Sequence, residues 1–358
     1  MLYKWRGRIA QLIRRHALRT MPFLIRNLKY VKLSAMLNLI KSEASFMTGA
    51  IKLNSFPSNL IFETGNICNL RCTLCPTGQG KPGLPKGMLS FQIFKHVLNE
   101  LEKYLITVEF GNWGEPLLNP ELPRMIRYAK YRNICVILDT NFNVPREIIY
   151  QLMLSKPNKI HISLEGASQQ SVEKYQQGNN FKKVLSNLRY AQQLNSKLDL
   201  GVQIKWGFTV NKFNEFEIPT ARKICRELGI KLSLGAIRCD TSSEVFMNPT
   251  QQYQNVKEWL PKNQKFSMYD YFRRRRKFIP RNGCSFLWNY SVINWDGSVF
   301  PCCIIYEHKF NFGNLIAKSF KEIWNNQMYK SSRLIIAHGI QTYPRTVCHI
   351  CYDNEAMI

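Results

Sequence analysis

The sequence predicts an α/β fold: a parallel sheet of six strands in a partial (β/α)6 barrel, with a small C-terminal domain and a basic helical N-terminal arm. Three observations carry that prediction. Short apolar runs alternate with helix-length stretches from residue 58 to about 240. Repeated βα units of this length imply crossover helices and hence parallel strands. Polar, glycine-bearing segments follow several of the apolar runs, where active residues collect in such sheets. At 358 residues and 45% hydrophobic content the chain can bury a large core.

The elements follow in order. Residues 60–64 read as the first strand and Gly65-Asn66 as the turn that ends it. A helix over about 90–105 leads to a strand at 106–110, and a helix over 122–131 to a strand at 135–139. Then come a helix at 145–154, a strand at 159–164, helices to about 194, a strand at 202–210, a helix at 215–228 and a strand at 230–237. The domains are therefore 1–57 (arm), 58–240 (barrel), 241–283 (connector) and 284–358 (C-terminal domain). The connector holds Asn248-Pro249 and the run Arg273-Arg274-Arg275-Arg276-Lys277, which reads first as a solvated face bordering the barrel and second as an anion site for a phosphorylated or acidic substrate.

Charge is lopsided, 50 Lys and Arg against 24 Asp and Glu, for a formal +26. Residues 1–57 carry eleven basic residues against Glu43 alone, with Trp5, Ile9, Leu12, Ile13 and Leu18 at near-helical spacing. The arm reads first as a helix packed on the next domain, its basic face solvated. A second reading is contact with an anionic membrane surface or an acidic substrate. It lacks the apolar core and small-residue cleavage site of a signal peptide. Nothing in the chain reaches the length of a membrane span. No nucleic-acid module accompanies the charge, so no nucleic acid is expected. Eleven cysteines are too sparse for a secreted disulfide scaffold, and a reducing cytoplasm suits free thiols.

Those cysteines cluster. Cys68, Cys72 and Cys75, spaced C-x3-C-x2-C, lie on the loop after the first strand. Thiolates select iron–sulfur clusters, zinc or Cu(I). A structural zinc site wants four ligands, so zinc needs completion from elsewhere; three thiolates on a four-iron cluster leave one iron open for chemistry. Strand ends carry further motifs: Gly111-Asn112-Trp113-Gly114-Glu115-Pro116, Thr140-Asn141-Phe142, and Ser163-Leu164-Glu165-Gly166-Ala167.

With the cysteine spacing, these segments resemble the radical S-adenosylmethionine (SAM) superfamily. The resemblance implies a SAM-binding [4Fe-4S] cluster on Cys68, Cys72 and Cys75, reductive cleavage of SAM, and hydrogen abstraction by a 5′-deoxyadenosyl radical. It implies that Gly114, Glu115 and Pro116 receive the SAM amino group. It also places Thr140, Asn141, Ser163 and Glu165 among the SAM contacts, with a helix N-cap as the alternative for Ser163 and Glu165. Lys205 and Arg238 stand equal as partners for the SAM carboxylate. Three positions depart from the family: Asn112-Trp113 where a glycine is common, Phe142 in place of the glycine of Thr-Asn-Gly, and Leu74 where an aromatic residue often meets the adenine.

Cys284, Gly297, Cys302, Cys303, Cys348 and Cys351 follow, with Asn294-Trp295-Asp296-Gly297-Ser298 reading as a hairpin turn. This pattern resembles the SPASM extension of radical SAM enzymes, shortened to one auxiliary [4Fe-4S] cluster on Cys284, Cys302, Cys348 and Cys351. A zinc knuckle on the same four ligands is the alternative. Four protein ligands close the cluster, leaving it able to accept or pass an electron. The shortened pattern is similar to enzymes that oxidise a cyclitol alcohol. The expected function is therefore dehydrogenation of a sugar, cyclitol or similar polar metabolite. Modification of a precursor peptide by crosslinking or epimerisation is the alternative, and a zinc-bound scaffold the last. An electron donor such as flavodoxin or ferredoxin is implied. Cys135 and Cys225 read as packing residues, and Cys303 as packing with an alternative cluster ligand as its second reading. Cys239, just after the sixth strand, reads as packing with hydrogen donation to a substrate radical as its functional alternative.

Overall fold

The structure, a computed structural model, describes residues 28–80, 85–238, 248–277 and 284–354. The six barrel strands are β1 (Asn59–Glu63), β2 (Thr107–Gly111), β3 (Cys135–Thr140), β4 (Lys159–Ser163), β5 (Gln203–Val210) and β6 (Lys231–Ala236). All neighbouring pairs in this series run parallel. Phe62 stands opposite Phe110, Phe110 opposite Leu138, Leu138 opposite Ile160, and Ile162 opposite Trp206. These side chains are fully buried and make one apolar layer beneath the crossover helices. Successive strand residues point to opposite faces. The alternate positions, Glu109, Asp139, His161 and Lys205, are half-buried and line the inner, open face.

The crossover helices include α2 (Phe91–Leu101), α3 (Leu122–Tyr131), α4 (Arg146–Leu154), α5 (Gln169–Tyr175), α6 (Phe181–Lys197) and α7 (Ile218–Glu227). Local chemistry sets several starts. Ser90 accepts from the Ile93 amide at α2, Ser168 from Ser171 at α5, and Asn180 from Lys183 at α6. The longer helices turn an apolar stripe to the sheet, as Phe91, Phe94, Val97, Leu98 and Leu101 do on α2.

The C-terminal segment extends the barrel sheet. Strand β7 (Tyr290–Ile293) pairs parallel with β1, placing Ile293 opposite Phe62. The hairpin expected at 294–298 is present, and β8 (Ser298–Phe300) and β9 (Gly313–Asn314) add antiparallel to β7. The described sheet is thus nine-stranded, ordered β9-β8-β7-β1-β2-β3-β4-β5-β6.

At the other end of the chain, α1 (Leu33–Thr48) lies against this joint. Its Ser42 hydroxyl is 2.5 Å from the Trp288 carbonyl, and Asn38 donates to the Phe56 carbonyl at 2.9 Å. The apolar positions Trp5 to Leu18 lie outside the described residues, as does Cys239.

Over residues 248–277 the connector carries more regular structure than its composition predicts. It contains α8 (Pro249–Val256), started by an Asn248 capping box. The basic run is not a uniformly solvated face either. Arg275–Arg276 pairs with Tyr269–Asp270, and Arg276 is 5% exposed, near Gln252.

Candidate functional site

The loop bearing Cys68, Cys72 and Cys75 leaves the carboxyl end of β1 and is pinned at both ends of its motif. Arg71-Cys72 forms a two-residue strand with Gln176-Gln177, and the Thr73 amide donates to the Tyr175 carbonyl at 2.9 Å. On the other side an amide ladder holds it. Asn141 Nδ2 donates to Asn69 Oδ1 at 2.8 Å and lies 3.8 Å from Cys68 Sγ, and Asn69 Nδ2 donates to the Asn143 carbonyl at 2.8 Å. Gly78 backs the loop, since a Cβ there would meet the Cys72 amide at 2.5 Å.

The three thiols are half-buried, and Cys75 lies close enough to Cys68 and Cys72 to oppose their ionisation. Burial first, then neighbouring charge, pushes Cys68 up to about 11 and raises Cys72 further. Among the described residues no three His, Cys, Asp or Glu side chains converge at single-ion spacing. The donor set fits the corners of a thiolate-bound cluster, which must displace the thiol protons as it binds.

Glu115 organises the mouth around this loop. The carboxylate is buried; Oε1 accepts from the Leu117 amide at 3.0 Å and from Thr140 Oγ1 at 2.5 Å, and Oε2 from the Asn141 amide at 2.8 Å. Its own amide donates to the Ile67 carbonyl at 2.9 Å. Glu115 therefore clamps the ends of β2 and β3 to the cysteine loop, and burial lifts its pKa to about 7 against those hydrogen bonds. Gly114 is required by contact: a Cβ there would stand 1.9 Å from the Gly65 carbonyl oxygen.

Glu165 does the same work across the site. It is buried and accepts from the Thr209 amide and, at 3.1 Å, from Thr209 Oγ1, tying the end of β4 to β5. Burial raises it to about 7. The Ser163 carbonyl accepts from Gln176 Nε2 at 3.0 Å, beside the short strand that holds Cys72. Thr140, Asn141, Ser163 and Glu165 thus meet around the cysteine loop.

Each family departure has a local cause. Phe142 sits at φ +60°, the left-handed conformation a glycine would adopt freely, and its ring is fully buried. Asn187 holds its carbonyl at 3.1 Å. Trp113 reaches out of the barrel: its Nε1 donates to the Ile305 carbonyl at 2.9 Å, its ring meets Tyr306 edge-on at 5.4 Å, and its carbonyl accepts from Thr77. Leu74 is 8% exposed and packs with Ile237, Val256 and Tyr269. Lys205 pairs with His161 midway along its strand, whereas Arg238 lies two residues beyond β6.

The four C-terminal cysteines line one pocket. Cys284, Cys302, Cys348 and Cys351 share it with Leu287, Ile304, Ile336 and Val347, and Cys303 is absent from its lining. Helix α9 (Val347–Asp353) places Cys348 and Cys351 three residues apart, on one face. Burial pushes Cys348 up to about 12 and Cys351 well above the thiol range. Cys302 is raised most by its contact with Cys303, then by burial. His349 is held elsewhere, its Nδ1 at 3.1 Å from the Thr346 amide as part of the helix cap. Four soft donors in an apolar enclosure fit a closed cluster or a tetrahedral metal.

Sequence reasoning missed the inner face. Asp139 Oδ1 is 3.0 Å from His161 Nδ1, and Glu109 hydrogen-bonds Asp139 while facing Cys303. Desolvation and the adjacent Asp139 raise Glu109 well above the usual carboxylate range. Glu63, 1% exposed at the end of β1, is pushed by burial to about 8. The signal was available: a charged residue alternating with Val108 and Phe110, or with Val136 and Leu138, must point away from the apolar layer.

The Radical SAM superfamily profile matches residues 62–205, and the SPASM iron–sulfur cluster-binding domain matches residues 284–352. The AdoMet-dependent heme synthase of Methanosarcina barkeri is 25% identical over 307 residues, covering 77% of this chain and 84% of its own. Streptococcus suis SuiB bound to its precursor peptide SuiA superposes with a TM-score of 0.58 at 16% identity, over 82% of this chain and 70% of SuiB. BtrN in complex with AdoMet and 2-DOIA superposes at 0.50 with 16% identity, over 80% of this chain and 89% of BtrN.

Proposed function

This chain belongs to the radical SAM superfamily and carries a C-terminal SPASM domain, and from that premise we propose that it dehydrogenates a sugar, cyclitol or similar polar metabolite. The Radical SAM domain implies a [4Fe-4S] cluster and SAM, and the SPASM domain implies auxiliary iron–sulfur binding. When bound, these groups supply the electron that cleaves SAM, the radical that removes a substrate hydrogen, and an acceptor for the second electron.

The protein's own residues do the rest. Cys68, Cys72 and Cys75 hold the barrel cluster, and Cys284, Cys302, Cys348 and Cys351 a single closed auxiliary one. Gly114 keeps the backbone of the Asn112–Pro116 segment close to the cysteine loop. Glu115 and Glu165 fix the strand ends, so Thr140, Asn141 and Ser163 present a rigid rim to SAM. Oxidising an alcohol carbon to a carbonyl releases one hydrogen atom, one electron and one proton. The proton needs an acceptor on the inner face, and Asp139, oriented by His161, is that acceptor. Glu109, raised well above the usual carboxylate range by burial and by Asp139, is hydrogen-bonded to Asp139 and helps to hold that acceptor in place. Cys239 as a hydrogen donor belongs to an epimerisation outcome and has no task in this one. A small acidic electron carrier of the flavodoxin or ferredoxin type would reduce the barrel cluster.

The observation that carries this reading is the Glu109–Asp139–His161 cluster, which lies on the inner face and takes no part in clamping the cysteine loop. Modification of a precursor peptide is the second reading, favoured by the similarity to peptide-bound SuiB. Both are tested on anaerobically reconstituted protein. Panels of deuterated polyols and of candidate peptides are supplied with SAM, and deuterium transfer into 5′-deoxyadenosine is measured. Transfer from a polyol, with Asp139→Asn still forming 5′-deoxyadenosine but releasing little ketone, supports dehydrogenation. Transfer from peptides alone overturns it.

A further inference from the structure

Helix α1 is inside out. At about 100° per residue, Ala35, Asn38, Leu39 and Ser42 share one face and Leu33, Met36, Leu37, Ile40, Ala44 and Met47 the opposite one. The first face is buried although two of its four residues are polar. Asn38 answers the Phe56 backbone from both ends of its amide, at 2.9 and 2.8 Å, and Ser42 bonds Trp288 and Asn289. The second face is apolar and in solvent: Leu33 is 69% exposed, Ile40 58%, Leu37 49%, Met47 44% and Met36 40%. A helix that turns an amide and a hydroxyl inward and Leu33, Leu37 and Ile40 outward has that apolar face reserved for something beyond this fold.

The surroundings say what kind of partner fits. Residues 1–57 hold eleven Lys and Arg against one Glu, and the exposed Lys29 and Lys41 lie next to and within the helix. An apolar stripe with basic flanks is what an anionic lipid surface takes up: the side chains enter the acyl boundary and the cations meet the headgroups. Nucleic acid would use the charge and leave the stripe wet. A second copy of this helix would bring its basic flanks against the same charge. Position on the fold agrees. Lys32 and Ser34 bond the carbonyls of Glu102 and Lys103, after α2, and Asn38 lies beside Ser58, before β1. The helix therefore sits at the amino ends of the strands, opposite the cysteine loop. Docking there leaves the mouth open to water.

We propose that the outward face of α1, Leu33 to Met47, docks the protein peripherally on an anionic membrane surface. No described helix is long and apolar enough to cross a bilayer, so the contact is an in-plane one.

The test uses the full-length, cluster-loaded protein and co-sedimentation with vesicles of phosphatidylcholine alone or mixed with phosphatidylglycerol. Binding to the mixed vesicles, weakened by salt and nearly absent on the neutral ones, is the expected result. Leu37→Glu/Ile40→Glu alters only exposed side chains and should lower that binding by ~10-fold or more, with iron content and melting temperature kept. Three outcomes overturn the proposal. One is undiminished binding of the double variant, which assigns the contact to charge alone. Another is no binding by the wild type, with Leu37→Cys protected from a soluble thiol reagent, which assigns the stripe to a segment of the chain itself. The third is a dimer that the double variant dissolves and that ignores vesicles.

Discussion

The cysteine loop at the barrel mouth and the cysteine pocket of the C-terminal segment use the same ligand atom in opposite surroundings. At the mouth, Cys68, Cys72 and Cys75 ride on a loop held by hydrogen bonds among Asn69, Asn141 and Asn143, beside an inner face lined with Glu109, Asp139 and His161. In the pocket, Cys284, Cys302, Cys348 and Cys351 are enclosed by Leu287, Ile304, Ile336 and Val347. Three thiols in a polar, open setting leave a coordination position for a reactant; four in an apolar enclosure leave none. On the function proposed above, the same ligand atom would supply a site that reacts and a site that only exchanges electrons. Trp113 joins them, rising from the mouth to the Ile305 carbonyl and the Tyr306 ring.

The largest expected effect breaks the reactive half alone. Cys68/Cys72/Cys75→Ala should remove about four of roughly eight irons and abolish 5′-deoxyadenosine formation, read by iron assay and chromatography. Gly114→Ala comes next. Its Cβ would stand 1.9 Å from the Gly65 carbonyl, so the mouth must open, at a cost of about 3 kcal/mol in stability and most of the SAM cleavage. Cys348→Ser tests the closed half: SAM cleavage should persist while oxidised product falls, because the electron acceptor and not the radical source is damaged.

How much of this contrast the sequence revealed depends on the length scale of the signal. The six barrel strands and the hairpin at Asn294–Ser298 follow from apolar runs and turn residues, which are local. The cysteine sets and strand-end motifs were legible because spacing and resemblance fix them. The clamping role of Glu115 was not, since its partners Thr140 and Asn141 are 25 and 26 residues away. The joint between β7 and β1 is longer-range still. Helix α8 was hidden by a polar composition that favours a loop until Asn248 caps it. The Glu109–Asp139–His161 cluster was present in the strand alternation but carries no motif.

Smaller perturbations sharpen the comparison at the joint. Trp113→Phe keeps the ring and loses the bond to the Ile305 carbonyl. It should cost about 1 kcal/mol and lower oxidised product more than 5′-deoxyadenosine. Glu63 meets the Trp295 amide at 3.4 Å, where β1 touches the hairpin. Its folded pKa, raised by burial to about 8 from 4.5, means the native state holds a proton the unfolded state has lost. Stability from this group therefore falls as pH rises from about 4.5 to about 8 and levels off above. Glu63→Gln should flatten that slope and raise the melting temperature at pH 8 by about 2–4 °C.

The central claim is that one thiol site is open to SAM and the other closed. Electron paramagnetic resonance of the dithionite-reduced protein, with and without SAM, tests it directly in two variants. With Cys348 and Cys351 replaced by alanine, SAM should shift the remaining signal. With Cys68, Cys72 and Cys75 replaced, the remaining signal should ignore SAM. A SAM-induced shift in the second variant, or none in the first, would contradict the account.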